Sequence, residues 1–201
     1  MCLSSKKQNM KIAVLALQGA FIEHQQMLER LGVESVQIRQ LSDWNSYVAE
    51  AKAAGTSCAL IIPGGESTTM LRLLNDLSLF TPIREAIVGG MPVFGTCAGL
   101  IMLDDQHLGT MRIHALRNAY GRQLGSFHTE STFADVQIPM TFIRAPYIQE
   151  ADEGVEILSV VDGRMVAARQ QNQLVTAFHP ELDESTIVHE YFCRMVENGG
   201  L

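Results

Sequence analysis

No apolar run in the 201 residues approaches the ~20 that a membrane-crossing helix needs, which excludes a helical membrane protein. Runs of Lys and Arg are also missing. With a net charge of −7, the chain offers no basic footprint for a nucleic-acid backbone. Cysteine is scarce: Cys2, Cys58, Cys97 and Cys193, with no C-x-x-C pair and no His/Cys cluster at zinc spacing. This argues against a disulfide framework and against a structural metal, and it fits a reduced, cytoplasmic setting. Repeats, low-complexity tracts and Pro/Ser-rich linkers are absent too. What is present is ordinary for a globular protein, 47% hydrophobic and 18% charged residues, in a length suited to one well-cored domain. Met1 to Asn9 is polar, lacks the apolar core of a signal peptide and reads as an extension (1–9) ahead of a single domain (10–201).

Short apolar runs alternate with helix-length segments in the first half. Lys11–Leu17, Val33–Ile38, Cys58–Ile62 and Met91–Phe94 read as strands, the continuously apolar ones buried on both faces. Phe21–Leu31, Asp43–Ala54, the segment after Ser67 and the segment after Thr81-Pro82 read as helices. Gly32 and Gly55 are their exits, and Ser42 or Asp43 is a cap. From Met111 onward the pattern becomes shorter strands separated by turn residues, with Asp162-Gly163 as a two-residue hairpin signal. Glu184–Glu197 closes the chain as an amphipathic helix. The expected fold is α/β: a doubly wound, mostly parallel central sheet flanked by helices and extended by antiparallel strands in the C-terminal half. Ligands of such sheets bind beyond the carboxyl ends of the strands, where Gly19, Gly64-Gly65 and Gly95/Gly99 all fall.

Gly95-Thr96-Cys97-Ala98-Gly99 lies between an apolar strand and Leu100–Leu103, which can open a helix. That is the strand–sharp turn–helix pattern of a nucleophile elbow, with Cys where other hydrolases have Ser. A buried structural cysteine beside a glycine turn is the plainer reading of these five residues alone. A nucleophilic thiol also needs a base and a group to orient it. His179-Pro180-Glu181 follows a strand end, so His179 can take and return the proton while Glu181 holds the ring. Gly64-Gly65-Glu66 precedes another helix. There the N–H of Gly65, paired with that of Ala98, suits an oxyanion hole. A phosphate loop fits poorly, because G-G-E-S-T-T lacks the P-loop lysine. Of the other histidines, His24 lies near the Gln18-Gly19 turn and reads as facing a partner or solvent, while His107, His114, His128 and His189 belong to no motif and read as surface or structural residues.

Together these residues resemble the triad (class I) glutamine amidotransferases. A narrower similarity, to the glutaminase subunits of pyridoxal 5′-phosphate synthases, is carried by further blocks. These are Ala16-Leu17-Gln18-Gly19-Ala20-Phe21 with Glu23-His24, Pro63-Gly64-Gly65-Glu66-Ser67-Thr68-Thr69, Arg117-Asn118-Ala119-Tyr120-Gly121-Arg122-Gln123 and Phe142-Ile143-Arg144-Ala145-Pro146, whereas the Gly95–Gly99 and Phe178-His179-Pro180-Glu181-Leu182 blocks are similar to amidotransferases more widely. The resemblance implies hydrolysis of L-glutamine to glutamate and ammonia through a thioester on Cys97, with the ammonia passed to a synthase subunit. It implies glutamine contacts at Gly64, Gly65, Glu66, Arg117, Ile143 and Arg144, no cofactor or metal in this subunit, and near-silence until the synthase docks close to the Gln18-Gly19 turn. Free glutamine carries an ammonium and a carboxylate, so an acid and a guanidinium are the right chemistry. Which of Glu66, Arg117 and Arg144 meets which charge is left open by the sequence. The resemblance also shows a departure, since the segment from Leu103 to His107 is shorter than the family's by several residues, just ahead of Arg117. Two other readings remain: a glutaminase serving another synthase, and a non-enzymatic elbow-cysteine redox or chaperone protein.

Overall fold

The computed structural model describes residues 10–117 and 126–199. In chain order the elements are β1 (Lys11–Leu15), α1 (Phe21–Arg30), β2 (Glu34–Ile38), α2 (Leu41–Ala54), β3 (Leu60–Ile62), α3 (Ser67–Asp76), α4 (Phe80–Val88), β4 (Val93–Thr96) and α5 (Ala98–Leu103). β5 (Ile113–Leu116), β6 (Ser126–Phe133), β7 (Val136–Ile143), β8 (Tyr147–Ala151), β9 (Glu156–Val161), β10 (Arg164–Gln170), β11 (Gln173–Thr176) and α6 (Ile187–Glu197) follow. Among the described residues the main sheet runs β2-β1-β3-β4-β11-β10-β8-β5, with β9 also paired to β10.

β1, β3, β4 and β11 are parallel neighbours and almost wholly buried, which is why their sequences are continuous apolar runs rather than alternating ones. β2, at the edge, is largely half-exposed. The chain leaves β1 toward β2 on one side and goes from β3 to β4 on the other. The order therefore reverses between β1 and β3, where an open α/β sheet leaves a crevice for ligand. α1 and α6 share a face, because His24 and His189 both pack edge-on against Phe94 of β4.

The helix exits follow the expected glycines: Gly55 is a left-handed cap at φ 63°, and Gly32 has φ 70°. The start of α2 differs from expectation. Gln40 is the cap, and Asp43 instead reaches back to accept the Arg39 N–H at 2.9 Å. The Asp162-Gly163 turn has positive φ at both residues and joins β9 to β10 as a hairpin.

Two details of the C-terminal half depart from the sequence reading. β6 and β7 do not join the main sheet; they pair with each other in a two-stranded sheet. β11 is antiparallel to β10 but parallel to β4, so it returns to the parallel core. That return places the end of β11 on the same rim as the end of β4.

Candidate active site

β4 and β11 run side by side with Thr96 opposite Thr176, so the residues after each strand emerge together. Cys97 follows β4 at φ 49°, ψ −98°, a conformation unfavourable for any residue with a side chain, and Ala98 then opens α5. Its N–H donates to the Thr176 carbonyl at 2.8 Å, which ties the elbow to β11. Two glycines make this turn possible. A Cβ on Gly95 would lie 2.5 Å from the Gly99 carbonyl oxygen, and one on Gly99 would collide with the carbonyl of Ile62 in β3.

His179 lies three residues past β11. Pro180 opens a 3₁₀ turn, Pro180–Leu182, that folds Glu181 back beneath the ring. Nδ1 of His179 is 2.7 Å from Glu181 Oε1, and the Cys97 thiol lies near enough to the same imidazole to favour its charged form. All three side chains are buried. Burial opposes charge on the imidazole, but Cys97 and the hydrogen bond to Glu181 outweigh it and hold His179 up at about 10. Burial likewise pushes the Glu181 carboxyl up, with the His179 hydrogen bond and charge pulling the other way.

A cleft of about 230 Å³ opens above this dyad. Gly65, Glu66, Cys97, Ala98 and His179 line one part of it, and Arg117, Ile143 and Arg144 another. Gly64 lies behind, so close that a Cβ there would strike the His179 ring. Glu181 is behind the imidazole rather than in the cleft. The β6–β7 hairpin delivers Ile143 and Arg144. Phe142 stacks on Phe127 at 4.5 Å and meets Phe178 edge-on, while the Thr141 carbonyl accepts the His179 N–H at 2.8 Å. The Ile143 carbonyl lies 3.9 Å from the Cys97 sulfur, and Arg144 has a left-handed φ of 43°. Of the block Arg117–Gln123, residues 118–123 lie outside the described residues.

Some contributors escaped the sequence reading. Gln18 clamps the Glu66 backbone, its Oε1 accepting from the N–H at 3.1 Å and its Nε2 donating to the carbonyl at 3.2 Å. Glu66 lines the cleft and also caps α3, its Oε1 accepting from Thr68 N–H and Oγ1. In the shortened segment, Asp104 Oδ1 lies 2.6 Å from His107 Nδ1, and His107 Nε2 lies 2.9 Å from an Arg117 nitrogen. His24, read as facing a partner or solvent, and His189, read as surface or structural, are fully buried behind Glu181. Cys58 is half-buried just before β3. No group of three or more His, Cys, Asp or Glu side chains that could hold a metal occurs among the described residues.

Comparison with known proteins decides the family. Residues 14–198 match the SNO glutamine amidotransferase family, from within β1 to beyond α6. The chain belongs to that family. Among its relatives is the pyridoxal 5′-phosphate synthase subunit PdxT of Streptococcus pneumoniae serotype 2, 53% identical over 194 residues, covering 92% of this chain and 97% of that one. A crystal structure of a glutamine amidotransferase superposes with a TM-score of 0.81 at 35% identity, covering 92% of this chain and 98% of the other. PurLQS from Thermotoga maritima, at 15% identity and a TM-score of 0.67 over 94% of this chain and 99% of its own, shares the fold. In this SNO-family member the matched span includes the elbow, the Gly64-Gly65 turn and the His179–Glu181 pair.

Proposed function

We propose that this chain is the glutaminase subunit of a pyridoxal 5′-phosphate synthase, with Cys97, His179 and Glu181 as its catalytic triad. The observation that carries this reading is Cys97 on its strained elbow, beside the hydrogen-bonded His179–Glu181 pair at the floor of a cleft bearing one acid and two guanidinium groups. The Cys97 proton passes to His179, and Sγ attacks the side-chain amide carbon of glutamine. Gly65 and Ala98 N–H groups receive the oxyanion, a contribution of roughly 3 kcal/mol per donor in other hydrolases. As the tetrahedral adduct collapses, the C–N bond breaks and His179 gives its proton to the departing ammonia. Water, its proton taken by His179, then cleaves the thioester to glutamate and frees the thiol. Glu66 faces the α-ammonium, and Arg117 and Arg144 face the α-carboxylate, with Gly64 and Ile143 shaping the pocket by their backbones.

The ammonia is delivered to a synthase subunit, and the whole stretch 10–201 acts as the unit that docks on it. Support comes from the relative named as a synthase subunit and from the Gln18-Gly19 turn, which clamps the substrate loop. Ala20 N–H holds the Gly64 carbonyl at 3.1 Å. Docking at this turn reorients the Gly64–Gly65 peptide and completes the oxyanion hole. Pyridoxal 5′-phosphate is the product of the complex and no prosthetic group of this chain. No helix among the described residues is long and apolar enough to cross a membrane, which is consistent with work in the cytoplasm. A glutaminase serving another synthase and an elbow-cysteine redox or chaperone protein are not favoured. Neither accounts for the four narrower blocks together, and the latter has no use for Glu66, Arg117 and the His179–Glu181 pair at one cleft. Glutamate release should be measured with and without the synthase subunit. Strong stimulation is expected; full turnover by the lone chain would defeat the docking mechanism, and none in either condition would defeat the assignment.

A further inference from the structure

An ionised carboxylate buried this deeply needs a donor on each oxygen. Oε1 of Glu181 has His179. Oε2 has no hydrogen bond within ordinary limits, and the nearest candidate is Nε2 of His24, 3.5 Å away on α1. The same Nε2 is 3.1 Å from Thr96 Oγ1, and His24 Nδ1 is 2.9 Å from Nε2 of His189 on α6. His189 Nδ1 is buried without a partner. Burial, reinforced by neighbouring charge, keeps both rings neutral, so each has a single N–H.

Two proton arrangements are possible along this line. If His24 donates from Nδ1, then His189 must carry its proton on Nδ1, where nothing receives it. The bare Nε2 of His24 would then face Glu181 Oε2, lone pair against lone pair. If His189 donates from Nε2 to His24 Nδ1, only an acceptor, His189 Nδ1, is left unpaired. The Nε2–H of His24 then points at Thr96 Oγ1 and Glu181 Oε2. An orphaned buried N–H is rarer than an under-satisfied acceptor, and the first arrangement adds the clash of lone pairs at Glu181 Oε2, so the second arrangement prevails.

We propose that His24 is a positioning residue of the glutaminase site, donating its Nε2–H to Glu181 Oε2 and taking its tautomer from His189. The inference rests on the triad proposed above. With donors on both oxygens, Glu181 stays ionised and its plane is fixed, so Oε1 aims at His179 and His179 aims at Cys97. Two other charges bear on the line: Glu23 favours a proton on Glu181, and Arg30 disfavours one on His189. The same helix begins beside the Gln18-Gly19 clamp, so α1 touches both the substrate loop and the back of the triad.

The test compares His24→Gln with His24→Asn in the full chain assembled with its synthase subunit. The Gln amide nitrogen reaches the place of the imidazole Nε2; the Asn amide reaches only that of Nδ1. His24→Asn should lower kcat roughly tenfold or more. It should leave the KM for glutamine within about twofold and move the acid limb of kcat/KM up by about one pH unit. His24→Gln should recover most of kcat and keep the wild-type limb. Equal losses in both variants with an unmoved limb, or none in His24→Asn, would overturn the proposal. Should a variant not fold, ¹⁵N NMR of the histidines in the wild-type chain still decides. A proton on Nε2 of both His24 and His189 supports the proposal, and one on Nδ1 of either refutes it. Wild-type protein inactive with its synthase would count against the proposed function alone, because the tautomers are read without turnover.

Discussion

The imidazole of His179 is hydrogen-bonded to the Glu181 carboxylate and lies beside Cys97, and the proposed mechanism uses it as both proton store and base. Replacing Glu181 by Gln keeps the shape and removes the charge. The imidazole pKa should then drop back toward its ordinary range, and kcat should fall by about 10³–10⁴-fold with little change in KM, read by glutaminase kinetics. The buried histidines also set a pH profile for stability. His179 has a folded value near 10, above the ordinary 6.5, so its contribution is whole below pH 6.5 and drains away as pH rises toward 10. His24 and His189 are shifted the other way, His189 to about 3, so their contribution is whole above pH 6.5 and is lost on acidification. The denaturant midpoint should therefore peak near neutrality, with an alkaline slope of up to about 1.4 kcal/mol per pH unit that flattens in His179→Gln. Cys97, His179 and Glu181 were legible in the sequence because their signals are local, a glycine-flanked thiol and an H-P-E triplet after a strand. His24 and His189 were not. They are 165 residues apart, and only packing of α1 and α6 on Phe94 brings them behind the site.

At the scale of elements, the elbow depends on contact between three backbones. Gly99 in α5 has no room for a methyl against Ile62 of β3. Gly99→Ala should cost about 3 kcal/mol and depress turnover beyond that loss, measured by denaturant unfolding and by kcat on the folded fraction. In the cleft, Arg117→Ala and Arg144→Ala should each raise the KM for glutamine by roughly 10–100-fold with a smaller change in kcat. The apolar runs of β1, β3 and β4 announced the buried parallel core, since strands covered on both faces cannot alternate. The β6–β7 hairpin was harder. Its strands run eight residues each with one face toward the core, and nothing in their composition says that they pair only with each other. The parallel direction of β11 was equally hidden, because direction is a property of the neighbouring strand.

For the molecule as a whole, strand order explains where the site sits. Reversal between β1 and β3 brings the Gln18-Gly19 turn against the Gly64–Glu66 loop, and β11 beside β4 brings His179 to Cys97. The rim is thus assembled from segments spread over most of the span matched to the SNO family. Glutamine chemistry at one thiol is the central claim, and covalent trapping tests it most directly. The chain with its synthase subunit is treated with a glutamine-like electrophile that alkylates thiols, and the modified peptide is located by mass spectrometry. A single adduct on Cys97 is predicted, protected by glutamine, abolished in Cys97→Ala and retained in Cys58→Ala. Labelling that persists in Cys97→Ala, or that glutamine fails to protect, would contradict the account.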